Sequence, residues 1–116
     1  SHRAGIYQEQ KEWSLALKDY ASMLNINPNE TDAYSEQLKI YQQLKDDRGV
    51  VKALDGLVRL YPDIISHLSN RGDAKLKLKD RAGAIADYRK SIELYRQQGN
   101  TSEVERLTIE VRKLLG

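Results

Sequence analysis

Apolar residues recur every three and four positions along most of this chain, with polar residues between them. The spacing holds at Trp13, Leu17, Tyr20 and Leu24, again at Val51, Leu54, Leu57 and Val58, and again at Ile85, Tyr88, Ile92 and Tyr95. It gathers the apolar side chains on one side of a helix, so each stretch predicts an amphipathic α-helix. Ahead of each lies a further helical stretch, roughly residues 3–10, 32–44 and 64–78, divided from its partner by a short polar turn such as Lys45-Asp46-Asp47 or Lys79-Asp80. The expected order is helix A, turn, helix B, three times over.

The three pairs are copies of one another. Residues 16–28, which end at Pro28, can be written above residues 50–62, which end at Pro62, and the two prolines lie 34 residues apart. Residues 84–95 follow at the same interval, with Arg96 where a proline would fall. A fixed period of this size is the signature of stacked helix-turn-helix units. Pro28 and Pro62 fall just past the B helices, where a residue with fixed φ and no amide hydrogen ends one helix and leads into the next.

After the third unit, Gln97-Gln98-Gly99-Asn100 forms a break, and Ser102 with Glu105 has the spacing of a capping box that starts a last helix running to about Leu115. Val104, Leu107, Val111, Leu114 and Leu115 form one stripe of it, and Glu103, Arg106, Glu110 and Lys113 lie around the other side. An open solenoid exposes the apolar flank of its last repeat, and this segment supplies a helix to cover it.

Composition narrows the partners. The 116 residues fit one domain, 40% apolar and 31% charged, within the range of globular proteins. Nineteen basic and seventeen acidic residues leave a net charge of +2, too little for the basic stripe of a nucleic-acid binder. With no Cys there is no disulfide, thiolate zinc site or cysteine nucleophile. No apolar run is long enough to span a bilayer and no signal peptide is evident, so membrane insertion is not expected; the compartment stays open, with the cytoplasm as default. The Ser1-His2 start without Met reads as a cleavage remnant on an excised fragment.

The columns resemble those of the tetratricopeptide repeat (TPR) family, whose units carry a small residue in helix A, a small residue and a large aromatic in helix B, and a closing proline. Helix A of the third unit carries Gly72-Asp73-Ala74 and then Leu78, and its helix B opens at Ala84 and continues to Tyr88; the first unit has Trp13, Ala16 and Tyr20. There are departures: Leu38 replaces the small helix-A residue of the second unit, Val50 and Leu54 replace its small and aromatic helix-B residues, and Lys75 stands where Tyr7 and Tyr41 stand in the other two. Larger residues at close-contact columns are expected to shift the local packing angle.

The resemblance implies an all-α, right-handed solenoid: a single domain over residues 1–116, with units at about 1–28, 29–62 and 63–96 and a capping helix at about 101–115. It implies a non-catalytic scaffold, not an enzyme, that binds a protein or an extended peptide on the concave face of the A helices. Column matching places Glu36, Lys39, Gln43, Ser69, Asn70, Asp73 and Lys77 on that face. Some members hold acidic chaperone tails with a two-carboxylate clamp of Lys, Asn and Arg; the matching positions here are Ser1, Gly5, Glu36, Ser66 and Asn70, and a Glu at such a site repels a carboxylate. The alternative function is a structural assembly module that self-associates, as a homo-oligomer, or stacks on upstream repeats through its N-terminal flank.

Candidate chemistry is sparse. His2 belongs to the remnant, and His67 is a lone histidine near a helix start, so neither a metal nor a cofactor is expected. Arg71-Gly72-Asp73 spells an adhesion motif, yet Gly72 occupies a helix column and not a loop tip. Asn29-Glu30-Thr31 and Asn100-Thr101-Ser102 match the glycosylation pattern, and turn and capping roles explain both. Asp46, Asp47 and Asp80 precede helices, where a carboxylate accepts amide hydrogen bonds. Lys75, Lys77 and Lys79 are spread around the helix axis and build no single basic face.

Overall fold

The structure, a computed structural model, describes residues 6–116, with side chains from Glu12 onward. Six helices follow one another: α1 (Ile6–Ile26), α2 (Thr31–Leu44), α3 (Asp47–Leu60), α4 (Ile65–Lys77), α5 (Arg81–Gln97) and α6 (Thr101–Leu115). Among the described residues there is no strand, and each helix packs against the next in the chain. The result is an all-α solenoid, elongated at 47 × 28 × 22 Å.

The turns explain the pairing. Between α2 and α3, Lys45 adopts the left-handed conformation (φ 56°), and Asp46 accepts from the Gly49 amide at 3.1 Å. The same device recurs between α4 and α5, where Lys79 has φ 70° and Asp80 accepts from the Gly83 amide at 3.0 Å. A left-handed residue ends the first helix, and the Asp carboxylate satisfies an amide left free at the start of the second. Two units therefore close as helix A, turn, helix B.

The first unit does not. A turn was expected between residues 10 and 13, and α1 instead runs unbroken from Ile6 to Ile26. One repeat earlier than Lys45, Asp46 and Gly49 stand Lys11, Glu12 and Leu15. Glu is a poorer N-cap than Asp, and Gln, Lys and Glu all favour a helix interior, so continuation wins. The start expected at Arg3 lies outside the described residues.

Packing follows the irregular columns. In the second unit α2 supplies the rings and α3 the gaps: a Cβ on Gly49 would overlap the Tyr41 ring, and one on Gly56 would overlap the Tyr34 ring. Val50, Leu54 and Leu57 form the core beneath, with Ala74 from α4 and with Leu38 packed against them. The third unit reverses the roles, since the gap is Gly72 on α4 and the ring is Tyr88 on α5, 2.9 Å from where a Cβ would stand. Each of these tyrosine rings is thus accommodated by a glycine on the opposite helix.

The end of the array matches the expected cover. Leu107 and Val111 of α6 are buried with Ala84, Tyr88 and Ile92 of α5, and Val104 and Leu114 pack against this cluster. The cap differs from the expected capping box: Asn100, not Ser102, accepts an amide hydrogen bond, from Glu103 at 3.3 Å, and the helix already begins at Thr101. Asn100 is the better placed residue because it follows the left-handed Gly99 (φ 75°), which reverses the chain ahead of the helix.

Candidate functional site

The A helices of the second and third units, α2 and α4, lie one after the other with a cleft between them. Its volume is about 590 Å³, and it is bordered by Gln42, Lys45, Asp47, Val50, Asn70, Asp73, Ala74 and Lys77. Asn70, Asp73 and Lys77 recur at three and four on α4, so one side of that helix presents an amide, a carboxylate and an ammonium in a row. Buried Val50 and Ala74 give the cleft an apolar floor. Lys45 borders it from the turn between α2 and α3, and Asp47 from the first position of α3.

Asp73 is held in place. The Tyr88 hydroxyl donates to Asp73 Oδ1 at 2.5 Å, and burial together with this carboxylate pushes the Tyr88 phenol well above its ordinary pKa. The phenol therefore stays protonated and remains a donor at neutral pH. Asp73 also borders a smaller recess of about 120 Å³ between α4 and α6, shared with Ser69, Tyr88, Arg106, Leu107 and Glu110.

Of the residues expected on the A-helix face, Asn70, Asp73 and Lys77 come together in the cleft, and Ser69 lies next door in the recess, 3.5 Å from the Ser91 hydroxyl. Glu36, Lys39 and Gln43 do not border the cleft. Glu36 and Lys39 are one turn apart on α2 and pair at 3.4 Å, with Lys39 71% exposed. It is Gln42 of α2 and Lys45 of the following turn that border the cleft with α4. Column matching overlooked Lys45 and Asp47 because they lie outside the A helices, and the signal that finds Lys45 is the Lys45-Asp46 turn, repeated 34 residues later at Lys79-Asp80.

The adhesion-like triplet is consumed internally. Gly72 lies under Tyr88 and Asp73 holds the Tyr88 hydroxyl. Arg71 donates to both oxygens of Asp87, at 2.9 and 2.7 Å, and to Asp55 at 2.9 Å. Lys75, the departure from the aromatic column, lies 3.3 Å from the same Asp87, which is 3% exposed. The missing tyrosine is thereby explained: an ammonium at this column serves a buried carboxylate on α5. His67 lies half-buried on α4, and burial holds its imidazole below the ordinary pKa. Among the described residues no group of three or more His, Cys, Asp or Glu could hold a metal. No helix in the described part is long and apolar enough to cross a membrane.

A scan of family models and a search of curated proteins gave no match to this chain. Solved structures do match it. PcrH, crystallised in complex with the chaperone-binding region of PopD, superimposes with a TM-score of 0.64 at 14% identity, over 94% of this chain and 82% of that one. The first TPR of Spaghetti (RPAP3), bound to the HSP90 peptide SRMEEVD, gives 0.59 at 24% identity, over 93% and 81%. The TPR2B domain of yeast Sti1, in a complex with pHsp70, gives 0.61 at 17% identity, over 93% and 86%. The fold is that of the tetratricopeptide repeat. Within it, α2 with α3 and α4 with α5 are two closed helix pairs, and α1 and α6 flank them.

Proposed function

We propose that the chain is a non-catalytic TPR scaffold that binds an extended segment of a partner protein in the cleft between α2 and α4. The observation that carries this reading is the composition of the cleft. A narrow apolar floor of Val50 and Ala74 is flanked by the side-chain amides of Gln42 and Asn70 and by two ammonium and two carboxylate groups. Amides that both donate and accept suit the main chain of an extended peptide, and the floor suits one small apolar side chain. The mixed charge selects register more than it adds affinity. Neighbours of the same fold are bound to peptides and protein segments, which supports the class of partner.

The partner is not an acidic chaperone tail held by a carboxylate clamp. Glu36 occupies one clamp column and is paired with Lys39, and Ser66 and Asn70 stand where the clamp has Lys and Arg; Ser1 and Gly5, the other two mismatches, lie outside the described residues. To test the reading, peptides would be selected from a random display library on the intact chain and titrated against variants. Asn70→Ala with Lys77→Ala should weaken a selected peptide about tenfold or more, the loss expected of one or two polar contacts. Lys90→Ala with Glu93→Ala, two exposed residues of α5, should leave it unchanged. The opposite pattern, with binding lost only through α5, would rule out the cleft.

A further inference from the structure

A second recess, of about 560 Å³, lies where α1, α2 and α3 meet. Lys18, Ala21 and Ser22 of α1, Gln37 of α2 and Lys52 of α3 border it, and among the described residues none that borders it is acidic. It shares no residue with the cleft between α2 and α4. Gln37 is 8% exposed, and among the described residues its side-chain amide has no hydrogen-bond partner. A buried amide left unpaired costs free energy, so its presence calls for a partner from outside the fold. Lys18 and Lys52 are both exposed, occupy the same column of successive repeats, and form no ion pair among the described residues.

The next repeat shows what such a place holds. Positions 21, 37 and 53 carry Ala, Gln and Ala, whereas positions 55, 71 and 87, one period later, carry Asp, Arg and Asp. There Arg71 donates to Asp55 at 2.9 Å and to both oxygens of Asp87, so the chain's own carboxylates meet the residue that matches Gln37. Between α1, α2 and α3 no such carboxylate is present. Ala21 and Ala53 offer only methyl groups, the Gln37 amide has donors with nothing to receive them, and two ammonium groups lack a counter-charge.

We propose that this recess binds a small dicarboxylate. One carboxylate takes the place over Ala21 that Asp55 takes in the next repeat, and accepts from the Gln37 amide and the Ser22 hydroxyl. Lys18 and Lys52 balance the two negative charges with charge-assisted hydrogen bonds. A phosphate would answer the same charges, and the carboxylate is favoured because it is the group that the next repeat sets against the matching position. The volume is that of a small-molecule site, with a few polar groups converging on a buried floor. The inference does not rest on the peptide-binding reading, since the two sites have no residue in common.

Succinate and glutarate are the probes, titrated into the intact chain at constant ionic strength and followed by NMR at the Gln37 side-chain amide. At least one of them should shift that signal saturably. No saturable shift with either, or a shift with inorganic phosphate alone, overturns the proposal. Lys18→Ala with Lys52→Ala should weaken the binding about tenfold or more, and Lys113→Ala, which alters an exposed lysine of α6, should leave it unchanged; equal losses in the two would reduce the effect to general charge and overturn it. Gln37→Leu should abolish the binding and raise the urea midpoint, because an apolar side chain of similar size replaces a buried amide without a partner. A lowered midpoint would mean that the fold itself satisfies Gln37, which overturns the proposal. Ala21→Asp with Gln37→Arg copies the Asp55 and Arg71 pair into the recess, and should give a chain of unchanged helical content that binds neither acid. Saturable binding that persists in this variant also overturns it.

Discussion

In the third unit the chain turns back at Lys79 and Asp80, and α4 lies on α5; in the first unit the matching Lys11 and Glu12 stand inside one unbroken helix. The contact columns of the two units agree at Arg3 and Arg71, Ala16 and Ala84, Asp19 and Asp87, and Tyr20 and Tyr88. Their turns do not. Asp80 accepts from the Gly83 amide, whereas Glu12 and Leu15 offer neither the short carboxylate nor the gap. The contrast separates two roles. Column residues specify what a helix face is built to meet, and three or four turn residues decide whether it meets it within the same chain.

The strongest way to break this contrast is to remove the lock that holds the closed unit. Asp87 is almost fully buried and binds both Arg71 and Lys75. Asp87→Ala leaves two cations without their shared partner in the interior. It should destabilise the chain by about 3 kcal/mol, the low end for breaking a buried pair because Arg71 retains Asp55, as measured by urea unfolding. A loss below about 1 kcal/mol would mean that the network is no more than a solvated surface pair.

A direct exchange comes next. Asp80→Glu with Gly83→Leu carries the turn chemistry of the first unit into the third. The short cap is lost, and the side chain added at position 83 enters space that the side chains at positions 80 and 75 occupy, which should cost on the order of 2 kcal/mol. Unfolding midpoints in urea would report it, and an unchanged midpoint would show that the turn residues do not decide closure.

The smallest effect sharpens the picture of the closed unit through pH. Burial alone holds the His67 imidazole below its ordinary pKa, so the unfolded chain binds this proton more readily than the folded one. Stability is then fully present above the unfolded pKa of about 6.5 and falls as the pH drops through that region. The melting temperature should decline between about pH 7.5 and about pH 5.5, and His67→Gln should reduce the decline. An identical decline in that variant would assign it to other groups.

Much of this was open to reading from the chain. The three-and-four spacing at Val51, Leu54, Leu57 and Val58, the Asp caps at positions 46 and 80, and the stripe of Leu107 and Val111 all follow from local periodicity and turn chemistry. Three of the residues that line the cleft, Asn70, Asp73 and Lys77, were legible because they share one side of a single helix. Lys45 and Asp47 were not, since the cleft borders more than one element. Lys75 looked like a defect in an aromatic column, and only its proximity to Asp87, on another helix, shows its use.

By itself, the amino-acid sequence determined the helical class, the period of 34 residues and the places where two of the turns form, because these depend on residues within a few positions of one another. Tertiary structure decided which helix supplies the ring and which the gap, how Asp87 is satisfied, and that the first unit stays open. Each depends on competition between partners far apart in the chain: Tyr41 needs the space at Gly49, Tyr88 needs the space at Gly72, and a helix face is covered only where a turn delivers another helix to it. Local pattern states what a face can meet, and packing in three dimensions determines what it does meet.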